Sequence, residues 1–289
     1  YVEAGYNKKD IPELILKNNI YGLDIDDRAG QLSILSVLLK ARSYDKNIFN
    51  KDVVKNLNVM SIQEIGNIEE EVTEIFSDYD TRKEALYLVE KFKDAKTIGS
   101  LLKIEDKNYS LLESAVEQSD TIYEMEIKEE LKQIIKIAKI LSKKFNIVVT
   151  NPPYVNDSLM PSKLKEYTAA NYKEGRKDLF ACFIMRGIDI IKEDGFSAMV
   201  TMQSWMFLSS FEKFRKKLIE TITISNLLHM DNMVMRIAFG TSATVFRKIN
   251  LMNYNSTFYH VKLSDVENDI VDPLFFNDEN TLIFNQSNF

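Results

Sequence analysis

Apolar positions along the chain follow two spacings. Short runs of β-branched and other apolar residues, bounded by polar turns, mark strands, and longer stretches with apolar residues three and four apart mark amphipathic helices. NIYGLDI, 19–25, reads as a strand, and Asp26 stands where an N-cap would serve a helix over 27–42, DRAGQLSILSVLLKAR. LNVMSI, 57–62, reads as a second strand. From about 63 to 144 the pattern turns helical, charged and poor in Gly and Pro, with LKQIIKIAKILSKKF as its clearest amphipathic helix. NIVVT, 146–150, is expected to be a buried strand, followed by a loop and a helix over 178–192 capped by Asp178. EDG, 193–195, is expected to turn the chain back into FSAMVTM. A helix over 209–220, a strand near ISNLLHM and a final strand over 241–248, TSATVFRK, complete the regular part. This alternation predicts an α/β fold with a mainly parallel sheet and helices on both faces. It divides the chain into a first part of a core (1–62), a helical insertion (63–144), a second part of the core (145–250) and the start of a C-terminal segment (251–289).

Composition narrows the function classes. With 289 residues, 45% of them hydrophobic and 28% charged, the chain can bury a large core. The single cysteine, Cys182, lies in an apolar run, which excludes a disulfide framework and places it in the core. No stretch reaches the roughly 18 to 20 apolar residues of a membrane span, and no basic-then-apolar leader opens the chain. The expectation is a cytoplasmic protein with no membrane contact. The first residue is Tyr1 rather than Met, so the chain is expected to be cut from something longer.

A net charge of −6 and a pI near 5.3 argue against a surface that grips nucleic acid everywhere. Any such contact must be local. Acid is concentrated in EEEVTEIFSDYD, 69–80, whereas Lys163, Lys165, Lys173, Arg176 and Lys177 gather just after residue 160, against Glu166 and Glu174. These five are the candidates for a local contact with a nucleic-acid backbone because of their position beside the motif at 151–154, although solvated surface charge is the plainer reading of any one of them.

VVTNPPY, 148–154, carries the most specific chemistry. Proline fixes φ, has no amide hydrogen and forces the residue before it to be extended. Pro152 and Pro153 therefore hold the carbonyls of Asn151 and Pro152 rigidly, and the Asn151 side-chain oxygen adds a further acceptor. The natural guest is an amino group with two hydrogens. Tyr154 supplies a flat face for a π-rich ring, so an exocyclic amine on an aromatic base satisfies both requirements. A stiff strand-to-loop turn with an exposed tyrosine is the plainer alternative.

NPPY after an apolar strand resembles the catalytic motif of amino-group methyltransferases that use S-adenosylmethionine, above all the DNA adenine N6 enzymes. IYGLDIDDRAGQLSILSVLLKAR and DLFACFIMRGIDIIKEDGFSAMVTMQSWMFLSSFEKFRKKL are similar to the large adenine methyltransferases of BREX phage defence and related fused restriction-modification enzymes. The likeness covers about residues 2–62 and 140–248, and the motif alone is shared with RNA and protein-glutamine methyltransferases. It implies a Rossmann-like methyltransferase sheet, S-adenosylmethionine as cofactor and duplex DNA as partner, with further defence-system subunits as possible associates. By position it implies that Asn151, Pro152, Pro153 and Tyr154 address the target amine. It also implies that Asp24 binds the cofactor ribose, that Ile25 packs beside the cofactor adenine and that Ser61 falls at the next cofactor position, where the family often has an acid. Phe239, in RIAFGTSATVF, is the candidate to close on a flipped base opposite Tyr154. His229, His260 and Asp189 show no metal-ligand spacing with Cys182 and are read as structural, and no metal is expected.

The family binds the methionine end of the cofactor on a Gly-rich loop after its first strand. Only 23 residues precede Asp24, and they contain no Gly-x-Gly. The first strand is therefore expected to be absent, and the sheet to carry a substitute or to be split there. An isolated chain of this kind is expected to bind the cofactor weakly and to be inactive. A non-catalytic DNA-binding subunit that keeps the methyltransferase shape is the reading from a different class.

Overall fold

The computed structural model describes residues 1–118, 125–251, 253–267 and 270–285. Residues 119–124 of the expected insertion, and 252, 268–269 and 286–289 of the C-terminal segment, lie outside them. The chain divides into two compact units, Tyr1–Lys143 and Lys144–Phe289.

The first unit runs α1 (Ile11–Asn18), β1 (Gly22–Asp24), α2 (Asp27–Arg42), β2 (Val59–Ser61), α3 (Glu69–Ile75), α4 (Tyr79–Phe92), α5 (Ala95–Ile98), α6 (Ser110–Gln118) and α7 (Met125–Ser142). Both strands are shorter than the apolar runs that contain them. They pair in parallel with Asp24 opposite Ser61. α2 starts where its cap predicts, because Asp26 Oδ1 accepts from the backbone N–H groups of Arg28 and Ala29 at 2.9 and 2.8 Å. Gly30 lets the helix lie close on β2, since a Cβ there would come 3.2 Å from that of Ser61. Leu16 of α1 and Leu38 and Ala41 of α2 form an apolar cluster with Ile48, Val53 and Leu57. The charged segment after residue 63 supplies α3 to α7, of which α4, α6 and α7 pack on one another and bury Leu88, Leu112, Val116, Leu131 and Ile135.

The second unit runs β3 (Phe145–Thr150), α8 (Ser162–Asn171), α9 (Leu179–Ile190), β4 (Ile191–Met202), α10 (Ser204–Phe207), α11 (Glu212–Thr221), β5 (Thr223–Met230), β6 (Thr241–Arg247), β7 (Asn255–Val261), β8 (Val266–Glu267), β9 (Ile270–Val271) and β10 (Leu282–Asn285). Six strands form one sheet in the order β10-β7-β5-β6-β4-β3. Phe180, Ala181 and Ile184 of α9 and Phe214 and Leu218 of α11 share a core with Met199, Leu227 and Phe246 of the sheet.

The α/β class is as expected, but the sheet is mixed. β3–β4 and β5–β7 are parallel, whereas β6 returns through residues 231–240 and inserts antiparallel between β5 and β4. β1 and β2 form a separate two-stranded sheet.

Three local expectations are corrected. NIVVT is not a buried strand: among the described residues β3 pairs with β4 alone, and Ile147 and Val149 are 64% and 73% exposed. EDG lies within β4 rather than before it, and there the pairing with β3 jumps from Ile191 to Phe196, so the segment bulges out of the ladder instead of turning between two elements. Asp194 takes φ 63° there, and its N–H donates to the Lys248 carbonyl while the Lys248 N–H donates to that of Gly195, so the segment stays laced to the end of β6. Nor does the regular part end near residue 248, because β7 and β10 extend the sheet beyond β5.

Candidate functional site

The carboxyl end of β3 delivers the NPPY segment. Asn151 is exposed, Pro152 buried, Pro153 exposed and Tyr154 half-buried. The Tyr154 hydroxyl lies 3.2 Å from both Asn151 Oδ1 and the Val200 carbonyl of β4. Burial pushes the Tyr154 phenol up from its ordinary value, so the hydroxyl stays a donor. It thereby orients the Asn151 carboxamide, a part for the hydroxyl that sequence reasoning missed.

The loop after the motif is clamped to the start of α9. Asp178 Oδ1 accepts from Val155 N–H at 3.1 Å and from Phe180 N–H at 3.4 Å. Leu179 N–H donates to the Val155 carbonyl at 2.9 Å, and Asp157 N–H to that of Lys177 at 3.1 Å. Burial of the Asp178 carboxyl pushes its pKa up, against the effect of these backbone donors.

Phe239 does meet Tyr154. Their centroids are 5.6 Å apart and the planes cross at 77°, with Phe180 edge-on to Tyr154 at 6.2 Å. A base sandwiched between parallel rings needs about 7 Å, two van der Waals contacts of roughly 3.5 Å. Phe239 must therefore turn before a ring can enter. Its neighbour Gly240 fixes the approach of this loop: the Gln203 N–H donates to the Gly240 carbonyl at 3.0 Å, and a Cβ at 240 would fall 2.3 Å from Gln203 Oε1.

Gln203 Oε1 in turn accepts from His229 Nε2 at 2.6 Å. His229 stacks on His260, centroids 4.5 Å apart and planes 10° from parallel, and His260 Nε2 lies 2.8 Å from Asp231 Oδ1. Burial first, and then the neighbouring His260, hold His229 below its ordinary pKa. The two histidines are the only ones in the chain. Their meeting depends on the pairing of β5 with β7, where His229 stands opposite His260, a non-local register that residue spacing does not carry.

In the first unit, Asp24, Ile25 and Ser61 lie together at the ends of β1 and β2. Asp24 Oδ1 accepts from Asp26 N–H at 2.9 Å, and the Asp24 carbonyl from Ile62 N–H at 2.7 Å. Ile25 is exposed, beside Gly99. Ser61 is not alone there. Asp27, from the first turn of α2, accepts from Lys96 at 2.8 Å and from Gln63 at 3.0 Å, and Gln63 also donates to Ser61 Oγ at 2.9 Å. Lys96, Ser61 and Gln63, in that order, hold the Asp27 carboxyl far below the usual carboxylate range. An acid thus reaches Ser61 from α2, although the strand position itself lacks one.

All five basic candidates are exposed. Lys177 pairs with Asp157 at 3.2 Å, and Glu174, which would offset the cluster, is engaged by Lys217 of α11 at 3.1 Å. Cys182 is buried and free, and burial pushes its thiol up to about 12, which leaves it no reactive role. Among the described residues no helix is long and apolar enough to cross a membrane.

One unit carries Asn-Pro-Pro-Tyr at the end of β3, and the other carries an acid, Asp24, at the end of a parallel strand pair. The chain belongs to the Eco57I restriction-modification methylase family, whose model matches residues 18–235. It is 36% identical over 259 residues to the adenine-specific methyltransferase BrxX of Escherichia coli O9:H4 (strain HS), a match that covers 80% of this chain and 21% of that protein. It is 29% identical over 279 residues to the adenine-specific methyltransferase PglX of Lacticaseibacillus casei (strain Zhang), covering 89% and 22%. The chain thus spans about a fifth of the length of these curated relatives. A nuclease-deletion mutant of the Type ISP restriction-modification enzyme LlaGI, solved with a DNA substrate mimic, matches 88% of this chain and 23% of its own at 12% identity and a TM-score of 0.41, too distant to carry an argument.

Proposed function

We propose that the chain is the core of a DNA adenine N6-methyltransferase of restriction-modification or phage defence, with S-adenosylmethionine as methyl donor and duplex DNA as partner. The observation that carries this reading is the end of β3, where an exposed Asn151, a buried Pro152 and a Tyr154 bonded to Asn151 form a rigid set of acceptors beside an aromatic face. The names of the two curated relatives favour adenine over a protein glutamine, and the restriction-modification description of the family favours DNA over RNA.

The residues fit the cofactor. The Asp24 carboxylate offers acceptors for ribose hydroxyls at a strand end, and exposed Ile25 offers an apolar flank for a purine. When bound, the cofactor supplies an electrophilic methyl group on sulfonium. The chain's own residues hold the acceptor. Extruding adenine from the duplex costs a few kcal/mol, and stacking on Tyr154, with Phe239 turned to cover the other face, returns roughly 1 to 3 kcal/mol per contact. The amino lone pair of adenine is conjugated with its ring and is a poor nucleophile. Hydrogen bonds from its two N–H groups to Asn151 Oδ1 and the Pro152 carbonyl favour the pyramidal amine and stabilise positive charge developing on nitrogen. Lys163, Lys165, Lys173, Arg176 and Lys177 are the proposed contacts to the DNA backbone.

Labelled cofactor presented to the complete enzyme with duplex DNA, RNA and protein tests this reading. Label is expected in N6-methyladenine of DNA alone; transfer to RNA or glutamine, or to none of the three, would sink it. Residues 1–289 alone, with no Gly-x-Gly sequence, are expected to bind the cofactor more weakly than micromolar and to transfer nothing.

A further inference from the structure

The stacked histidines lie outside the chemistry proposed above. His229 is the penultimate residue of β5, His260 that of β7, and Asp231 opens the loop that leads to Phe239. One ligand atom from each of His229, Asp231 and His260 falls within 4.8 Å of the others. A tetrahedral shell of about 2.1 Å radius places its ligand atoms roughly 3.4 Å apart, so the three atoms have about 1.4 Å at most to close, and side-chain rotation that takes the two imidazoles out of their stack turns both toward one point and completes three corners.

We propose that His229, His260 and Asp231 form a binding site for a divalent transition-metal ion of the Zn²⁺ and Co²⁺ class. Two imidazoles and one carboxylate are a borderline-soft donor set, which suits these ions and not Mg²⁺ or Ca²⁺, whose shells are built from oxygen. A metal-bound histidine ordinarily donates its other ring nitrogen to an oxygen, which fixes its tautomer and orientation. His229 already has such a partner in Gln203 Oε1, and the Asp231 carboxylate, now bonded to His260 Nε2, turns to the ion on binding. A water supplies the fourth corner. Both histidines lie on strands already in register, and Asp231 directly follows β5, so binding orders few residues. A bound ion joins β5, β7 and the start of the 231–240 loop. The site stands independently of the methyl-transfer reading.

Titration of the complete chain with Co²⁺ near neutral pH tests the assignment. The expected result is a visible d–d band of four-coordinate Co²⁺ that saturates at one equivalent, is displaced by Zn²⁺ and is indifferent to Mg²⁺ and Ca²⁺. Zn²⁺ is expected to raise Tm. His260→Ala and His229→Ala should each abolish the band or weaken binding by at least about tenfold, and Gln203→Ala should weaken it by roughly 10- to 100-fold through the lost partner of His229. The His260 and Asp231 side chains are 39% and 41% exposed, so His260→Ala and Asp231→Ala keep the test open if His229→Ala fails to fold. No band at one equivalent, or a band and a Zn²⁺-dependent Tm shift that survive in His260→Ala and Asp231→Ala, would overturn the site.

Discussion

Two strand ends in this molecule solve the same problem in different ways. At the end of β1 the chain passes through two residues into α2, and Asp26 caps that helix by accepting from Arg28 and Ala29, its immediate neighbours. At the end of β3 the chain wanders for 28 residues, 151–178, before α9 begins at Leu179, and Asp178 caps that helix while also accepting from Val155, 23 residues earlier. One aspartate is an exposed local cap; the other is buried and serves two parts of the chain. The acid proposed for ribose needs only a short, well-placed turn. The tetrad proposed for the amine, at the head of a long segment that also carries α8, needs a second anchor, and the helix cap supplies it.

The sharpest way to break this comparison is to remove the two functional side chains in the complete enzyme. Asn151→Ala should lower methyl transfer by about 10²- to 10³-fold, as for other preorganised donors and acceptors, with cofactor affinity nearly unchanged. Asp24→Ala should do the reverse, raising the cofactor Kd by roughly 10- to 100-fold, the loss of about 1.5 to 3 kcal/mol for hydrogen bonds to a charged group, with DNA binding intact. Turnover assays beside calorimetric titration separate the two signatures, and matching signatures would dissolve the distinction.

The anchors themselves come next. Asp178→Ala should cost about 1 to 3 kcal/mol in denaturant unfolding, because Val155 and Phe180 each lose their acceptor in a buried place. Asp178→Asn keeps an acceptor oxygen and should cost much less. Their pH dependence carries a sign. Burial raises the Asp178 carboxyl above its ordinary 3.8. The folded state therefore binds the proton more tightly than the unfolded one, and this contribution is fully present below about 3.8 and lost as pH rises through the folded value. Wild type should gain on Asp178→Asn as pH falls from neutral into that range; a difference that is flat with pH would mean that the carboxyl is better hydrated than its burial implies.

Tyr154 lies between anchor and function. Tyr154→Ala loses stacking and should cost roughly 1 to 3 kcal/mol in transfer, whereas Tyr154→Phe loses only the bond to Asn151 and Val200, about 0.5 to 1.5 kcal/mol. Single-turnover rates on duplex DNA order the two, and equal losses would make the hydroxyl the essential part. The smallest effect belongs to Asp26→Ala, a local exposed cap worth about 1 kcal/mol of unfolding free energy and no direct loss of transfer.

The helices capped by Asp26 and Asp178 were legible in the sequence because their signals are local, whereas α1 and α8, the latter inside a segment read as a loop, were not. Asp26 and Asp178 stand one residue before apolar periodicities that begin on time. The NPPY tetrad was legible for a similar reason, since two prolines and their neighbours dictate their own backbone. What the sequence does not carry is what covers a strand. NIVVT reads as buried because its residues are β-branched and apolar, yet burial depends on a neighbour along its edge and a layer over its face, and β3 lacks the first. The same holds for β7 and β10, whose polar-interrupted runs became strands only by pairing with β5 and with each other. The histidine stack and the reach of Asp27 over Ser61 are products of register and of helix placement, and no spacing announces them.

The open side of β3 has a consequence for solubility. Ile147 and Val149 face solvent beside backbone groups that, among the described residues, no strand on that side satisfies. Such an edge is a template for another chain, and protein surfaces ordinarily blunt it with charge, proline or a covering segment. The strand itself, Phe145–Thr150, carries no charged residue, and the charges nearest it are Lys143 and Lys144 before it and Lys192 of β4, which donates to Asn146. Protein concentration therefore becomes a variable in any preparation of these residues, with edge-to-edge pairing of β3 between copies as the route by which monomers are lost.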